Sequence, residues 1–213
     1  LREELVDYFV DQVRRRRVEG MTDDVFSDMA TGVEAGLMKE SEIQGLTLLL
    51  IAAGMETTSS LMGNIAHAVA TEEVAANALL DDAGQFRAPA IEEFLRFDAP
   101  AQWLARVTTR PVTMHGQELP TGSRVLVLFA SANRDPREYA RADELVLDRD
   151  SARNLAFGEG VHFCLGMPLA RMETRIGMGC LLSRHPSFGL DGAPVRYPSH
   201  VIRGFESIPV LLS

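Results

Sequence analysis

The sequence predicts a mainly α-helical fold with a small antiparallel β portion, and three observations carry that expectation. A helical run from Ser41 to about Ala70 would measure roughly 45 Å at 1.5 Å per residue, enough to cross a whole domain. From Arg106 to Ala130 the apolar pattern changes to period two and is punctuated by Gly and Pro. Helical periodicity then returns behind the stretch FGEGVHFCLG, with Pro168 suited to a first turn and Leu169, Met172, Ile176 and Cys180 recurring on one face.

The chain has 213 residues, 46% hydrophobic and 24% charged, which is ordinary for one globular domain with a sizeable core, so a single domain over 1–213 is expected. A formal charge of −9 argues against nucleic acid or an anionic membrane as the main partner. Two cysteines, Cys164 and Cys180, suggest a reducing compartment rather than a disulfide scaffold. The longest apolar stretch, LTLLLIAAGM, is too short to span a bilayer, and no signal peptide is visible. The expectation is therefore a cytoplasmic protein with no membrane and no nucleic-acid partner.

Leu1 to about Arg17 carries Leu5, Phe9 and Val13 at i, i+4 spacing and reads as an amphipathic helix. Arg14 to Arg17 reads as its solvated end, complementing the helix dipole. Thr22 to Ala35 reads as a second short helix. Ser41 and Gln44 have the spacing of a capping box at the start of the long helix. Within that helix Glu56, Thr57, Thr58, Ser59 and Ser60 follow a nearly pure apolar run, a poor choice for a helix that only packs. Thr57 can return its hydroxyl to the carbonyl of Ala53, and Gly54 leaves space beside it, so widening of the helix there costs little.

Thr71 to Leu80 is expected to continue as helix, and Ala88 to Phe97 to form another with Pro89 near its start. Glu93 and Arg96 lie three apart on one face of the latter and can pair. Arg106 to Met114 reads as an edge strand, because Pro111 cannot donate to a ladder. His115-Gly116 and Pro120 to Gly122 read as turns, and Arg124 to Ala130 as an apolar strand. An irregular stretch starts at Asn133, and loops this long in a compact domain are usually functional or disordered. His200 to Leu212 reads as a hairpin across Arg203, Gly204 and Phe205.

The chemistry concentrates in the loop before the last helix. Gly158 and Gly160 permit φ values other residues resist, and Cys164 stands at a helix entrance, where partial positive charge suits an anionic ligand. Zinc would need about four Cys, His or carboxylate ligands, and His162 with Cys164 has no recognised second pair in Cys180 and His185. A phosphate cradle would require a glycine where Phe163 stands.

The spacing F-x-x-G-x-H-x-C-x-G, matched at every position, resembles the haem-binding loop of the cytochrome P450 family, bacterial soluble type. Ala53 to Thr58 likewise resembles that family's oxygen-binding groove, A-G-x-[DE]-T-T. The resemblance implies a P450-like fold incomplete at its N-terminus, since it covers only the C-terminal half of a longer family chain. A sequence opening LREELVDYFVDQ without an initiator Met would read this way as a fragment, a processed product or a truncated relative.

By the same resemblance Cys164 would ligate the iron of haem b. Phe157, Gly158, Gly166, Ala53 and Gly54 would adjoin the cofactor, while Arg106 and His162 would bind its propionates. Glu56 and Thr57 would form the proton-delivery pair. Glu93, Arg96 and, as third partner, Arg149 would form the family's buried ion cluster, with Glu144 no candidate. Gln102, Leu104, Val201 and Ile202 would line the substrate pocket. The implied activity is a haem-thiolate monooxygenase that hydroxylates or epoxidises a small organic molecule. Its electrons would come from NAD(P)H through a ferredoxin-like or flavin partner docking near Arg153, Arg171 and Arg175. The alternative is a truncated, non-catalytic relative that binds a partner protein. Peroxide-driven chemistry is disfavoured by the acid-alcohol pair.

Overall fold

The structure, a computed structural model, describes residues 2–149 and 153–212. They fall into two compact units, Leu1–Met55 and Glu56–Ser213, with the division inside one helix.

The first unit holds α1 (Arg2–Glu19), α2 (Val25–Glu34) and the start of α3 (Glu40–Ala70). Its core is Val13, Met29, Ala30 and Ile43, flanked by Val10, Phe26 and Leu46. Leu5, expected to join Phe9 and Val13 inside, is exposed. The Arg14 to Arg17 run is not merely a solvated helix end. Arg14 pairs with Glu40, Arg15 with Glu19, Arg16 with Asp24 and Arg17 with Glu34. Asp24 is the N-cap of α2, accepting the Ser27 N–H at 2.8 Å, which moves the helix start from Thr22 to Val25. The Arg16 and Thr22 hydrogen bonds hold the Asp24 carboxyl well below the usual carboxylate range.

The cap of α3 is also displaced from its expected place. Glu42, not Gln44, reaches back, accepting the Lys39 N–H at 2.7 Å, and Ser41 lies inside the helix. The helix is continuous through Gly54, without the widening its composition would permit. It has 31 residues, which gives about 46 Å. Among the described residues it is the one helix whose length and composition would suffice to cross a membrane, although its apolar run alone is shorter than that. Within the second unit its Leu61, Ile65, Ala68 and Val69 are instead core residues.

That core also takes Leu79, Phe86, Ile91, Phe94 and Leu95, with Met178 and Leu182 from α6 (Met167–Arg184). α3 stops at Ala70 rather than running on to Leu80. Glu72 takes φ 58° and the Val74 N–H turns back to the Ala68 carbonyl, leaving only a 3-10 turn at Ala76–Leu79. α4 (Ala88–Phe97) begins and ends as expected, with Pro89 in its first turn.

Among the described residues the β portion is four two-stranded antiparallel ladders. β1 (Leu104–Val107) pairs with β4 (Arg124–Val127), and β2 (Val112–Met114) with β3 (Gln117–Leu119). The expected strand from Arg106 to Met114 is therefore broken. Thr108 turns its N–H to Ser123 and its hydroxyl to Pro120, and Pro111 has no N–H to continue the ladder. His115 and Gly116, both at positive φ, make the two-residue turn between β2 and β3. β4 ends at Val127, and the rest of its expected length becomes the short helix α5 (Phe129–Ala132).

Beyond α6, β5 (Phe188–Leu190) pairs with β8 (Val210–Leu212), and β6 (Val195–Arg196) with β7 (Phe205–Ser207). This replaces the hairpin expected across Gly204. A Cβ at Gly204 would lie 2.3 Å from Ser60 Oγ, so the segment before β7 is pressed against α3 instead of turning. In α6, Thr174, Met178 and Leu182 are buried, while Leu169, Met172, Ile176 and Cys180 are exposed.

Candidate active site

The site is built from a buried base upward. Arg96 is fully buried and uses every N–H it has. Its Nε and Nη2 donate to the two Glu93 oxygens at 2.8 Å. Its remaining donors reach the carbonyls of Asn133 (2.9 Å), Ala142 (2.7 Å) and Glu144 (2.8 Å). Arg149 Nε donates to the same carboxylate at 3.0 and 3.2 Å. Glu144 enters through its backbone oxygen rather than its side chain. Burial pushes the Glu93 carboxyl up, but hydrogen bonds from Arg96 and the Val146 N–H, the Arg96 charge and the Arg149 hydrogen bond outweigh it and leave it below its ordinary value. One helix and the long irregular stretch are thus tied together beneath the cysteine loop.

Asn133 carries this base upward. Its Oδ1 accepts the Leu155 N–H at 2.7 Å, the Leu155 carbonyl accepts from Gly158, and the Phe157 carbonyl accepts the Cys164 N–H at 2.9 Å. Gly158 and Gly160 adopt φ 73° and 74°, the left-handed region that favours glycine. Cys164 is a free, half-buried thiol two residues before the N-cap of α6, and a Cβ at Gly166 would lie 3.9 Å from its Sγ. Around it Val161, Phe163 and Leu165 are exposed, as is His162. No group of three or more His, Cys, Asp or Glu among the described residues could hold a metal ion. The exposed apolar side chains of Val161, Phe163 and Leu165 beside the thiol are of the kind that suits a large apolar ligand.

Ala53 and Gly54 are exposed residues of the first unit, while Glu56 and Thr57 belong to the second. Here the faces of α3 alternate: Glu56 is exposed, Thr57 half-buried, Thr58 buried, Ser59 exposed again and Ser60 buried. Arg106 is an exposed residue of β1 whose guanidinium donates to its neighbour's carbonyl at 3.0 Å. The structure brings together three of the four pocket candidates. The Gln102 N–H donates to the Val201 carbonyl at 2.8 Å, and Ala101 bridges to Ile202. Leu104 opens β1 and is exposed.

Two asparagines escaped the sequence reading. Asn133 is the link just described. Asn64 Nδ2 donates to the Asp98 carbonyl (3.0 Å) and the Arg203 carbonyl (3.2 Å), fastening α3 to both segments that carry the pocket candidates. Neither belongs to a motif with its partners, which lie far off in sequence: those of Asn64 accept through backbone oxygens, and Asn133 accepts the Leu155 N–H and an Arg96 N–H. A partial signal existed for Asn64, a polar residue on the apolar face that includes Leu61 and Ala68. Arg171, expected as a surface cation, is bound to Glu92, whereas Arg153 and Arg175 are exposed.

Comparison with known proteins agrees with this geometry. The family model described as Cytochrome P450 matches residues 88–188. The chain is 37% identical over 177 residues to the Cytochrome P450 monooxygenase PikC of Streptomyces venezuelae, covering 81% of this chain and 42% of that one. It is 34% identical to the polyketide biosynthesis cytochrome P450 PksS of Bacillus subtilis strain 168, covering 99% and 53% respectively. The crystal structure of CalO2 superposes with a TM-score of 0.89 at 31% identity, over 100% of this chain and 53% of that one. The chain spans about half the length of the curated relatives it matches.

Proposed function

The chain belongs to the cytochrome P450 family, and on that premise we propose that it forms the thiolate-bearing part of a haem monooxygenase acting on a small organic substrate. The observation that carries the proposal is Cys164, a half-buried thiol at the entrance to α6, held by the backbone of Phe157 and flanked by exposed apolar side chains. Cys164 would provide the thiolate ligand to the iron of haem b, with His162 and Arg106 as donors to its propionates. Bound haem supplies the activation of dioxygen for C–H hydroxylation or alkene epoxidation, with electrons from NAD(P)H through a ferredoxin-like or flavin partner.

The chain's own contribution to that chemistry is proton delivery. Glu56, exposed, exchanges protons with solvent at its carboxylate, and the half-buried Thr57 passes them inward through Oγ1. The zipped 98–104 and 199–203 segments, fastened by Asn64, shape the substrate side through Gln102, Leu104, Val201 and Ile202. Arg153 and Arg175 offer exposed positive charge for the electron donor, but Arg171 does not, because Glu92 neutralises it. The cytoplasm is the compartment this reading assigns.

The test is the fate of oxygen. Reconstituted with ferredoxin, ferredoxin reductase and NADH, Thr57→Ala should keep consuming oxygen while releasing a larger fraction of it as hydrogen peroxide. An unchanged peroxide fraction would remove Thr57 from the proton path. A second reading, a P450-like subunit that binds a partner protein, draws on the exposed Leu169, Met172 and Ile176 of α6. Absence of any haem uptake would favour it.

A further inference from the structure

We infer that Glu92 and Arg171 form a second clamp, separate from the Glu93 cluster, that positions the loop carrying Cys164. The adjacent glutamates of α4 face different partners. Glu93 takes the buried arginines, whereas Glu92 accepts from Arg171 Nε at 2.6 Å and Nη2 at 2.9 Å, a fork that joins α4 to α6. Asn154 Nδ2 donates to the same carboxylate at 3.1 Å, and Asn154 Oδ1 takes the Ala156 N–H at 3.1 Å. The Arg171 guanidinium lies 5.0 Å from the centre of the Phe157 ring, and the Phe157 carbonyl receives the Cys164 N–H.

Two helices and the segment entering the loop therefore meet at one carboxylate, and the first residue of the loop lies against its arginine. The pair also walls an open cavity of about 580 Å³, together with Arg153, Glu159 and Phe163. Both members are partly exposed, at 28% for Glu92 and 36% for Arg171, and such pairs contribute little to global stability. What the pair determines is where Phe157, and through it Cys164, sits relative to α6. Glu92 and Arg171 are positioning residues, and this role rests on Cys164 being the haem ligand only in the spectroscopic half of its test.

The experiment compares the whole protein with Arg171→Leu, Arg171→Lys and the exchanged pair Glu92→Arg/Arg171→Glu. Amide hydrogen exchange should quicken about tenfold at Ala156 and Cys164 in Arg171→Leu, as expected for the loss of loop hydrogen bonding, while the amides of Phe94 to Phe97 stay as they were. In haem-loaded, reduced protein under carbon monoxide, the same variant should move absorbance from the red-shifted thiolate band to the unshifted one. The exchanged pair should recover both signals, and Arg171→Lys only part, since an ammonium cannot make the two-pronged contact.

Unchanged exchange at Cys164, or equal quickening along α4, overturns the clamp. Quickened exchange confined to the loop supports it even if the wild type takes up no haem, an outcome that would overturn the haem reading alone. A normal band with unchanged exchange overturns the clamp and leaves the haem reading standing.

Discussion

Arg96→Met should be among the most damaging single changes in the second unit. The substitution keeps most of the side-chain volume and removes five hydrogen bonds from a fully buried site. Deleting one partner of a buried ion pair costs about 3–5 kcal/mol, and the low end applies because Arg149 and the Val146 N–H still serve Glu93. Asn133 and Ala142 lose a donor to their carbonyls, at about 1 kcal/mol each, while Glu144 keeps Arg149 Nη2 at 3.3 Å. The total is about 5 kcal/mol, a large fraction of a typical domain's stability of about 5–15 kcal/mol. Urea unfolding followed by far-UV circular dichroism measures it. Arg96→Lys, with three donors instead of five, should fall between the two. Combining Arg96→Met with Glu93→Gln should cost clearly less than the two singles added together. A loss below about 1 kcal/mol for Arg96→Met would refute the claim that this cluster braces the irregular stretch.

Two further expectations concern the packing of α3. Gly204→Ala should destabilise by about 2–3 kcal/mol, because the new Cβ meets Ser60 Oγ at 2.3 Å and Ser60 Cβ at 2.7 Å, and Ser60→Gly in that background should restore at least half. Gly177→Ala meets only the flexible Met62 sulfur at 2.9 Å and should cost less, so equal urea midpoints for the two alanine variants would contradict the contrast. His67, stacked 4.6 Å from Phe205, has its pKa lowered by burial and then by the Arg196 charge. The unfolded chain therefore takes up the proton first as pH falls below about 6.5, so stability drops there and levels off below the folded pKa. His67→Phe should remove that part of the pH dependence, and an unchanged difference in urea midpoint between pH 7.5 and 5.5 would exclude His67 as its source.

Elements with local signals were legible in the chain. α4 starts and ends where Pro89 and the apolar spacing place it, and Gly158 and Gly160 take the left-handed φ their positions imply. What escaped depends on contacts between distant segments. The strand expected from Arg106 to Met114 breaks because Thr108 bonds Ser123 and Pro120, and the hairpin expected at Gly204 is displaced by Ser60. α6 carries apolar residues on more than one face, so periodicity could not say which face α3 and α4 would cover. At the site, the E-x-x-R spacing pointed to Glu93 and Arg96. Glu92 stands in no motif with Arg171 or Asn154, and the roles of Asn64 and Asn133 rest on backbone groups of distant segments that leave no trace in side-chain identity.

The measurement that bears most directly on the account is the carbon monoxide spectrum of the reduced, haem-loaded protein and of Cys164→Ala. A strongly red-shifted Soret band in the first and its disappearance in the second are expected if the Cys164 thiolate ligates the iron. An unshifted band in the wild type, or a red-shifted band that survives Cys164→Ala, would contradict it.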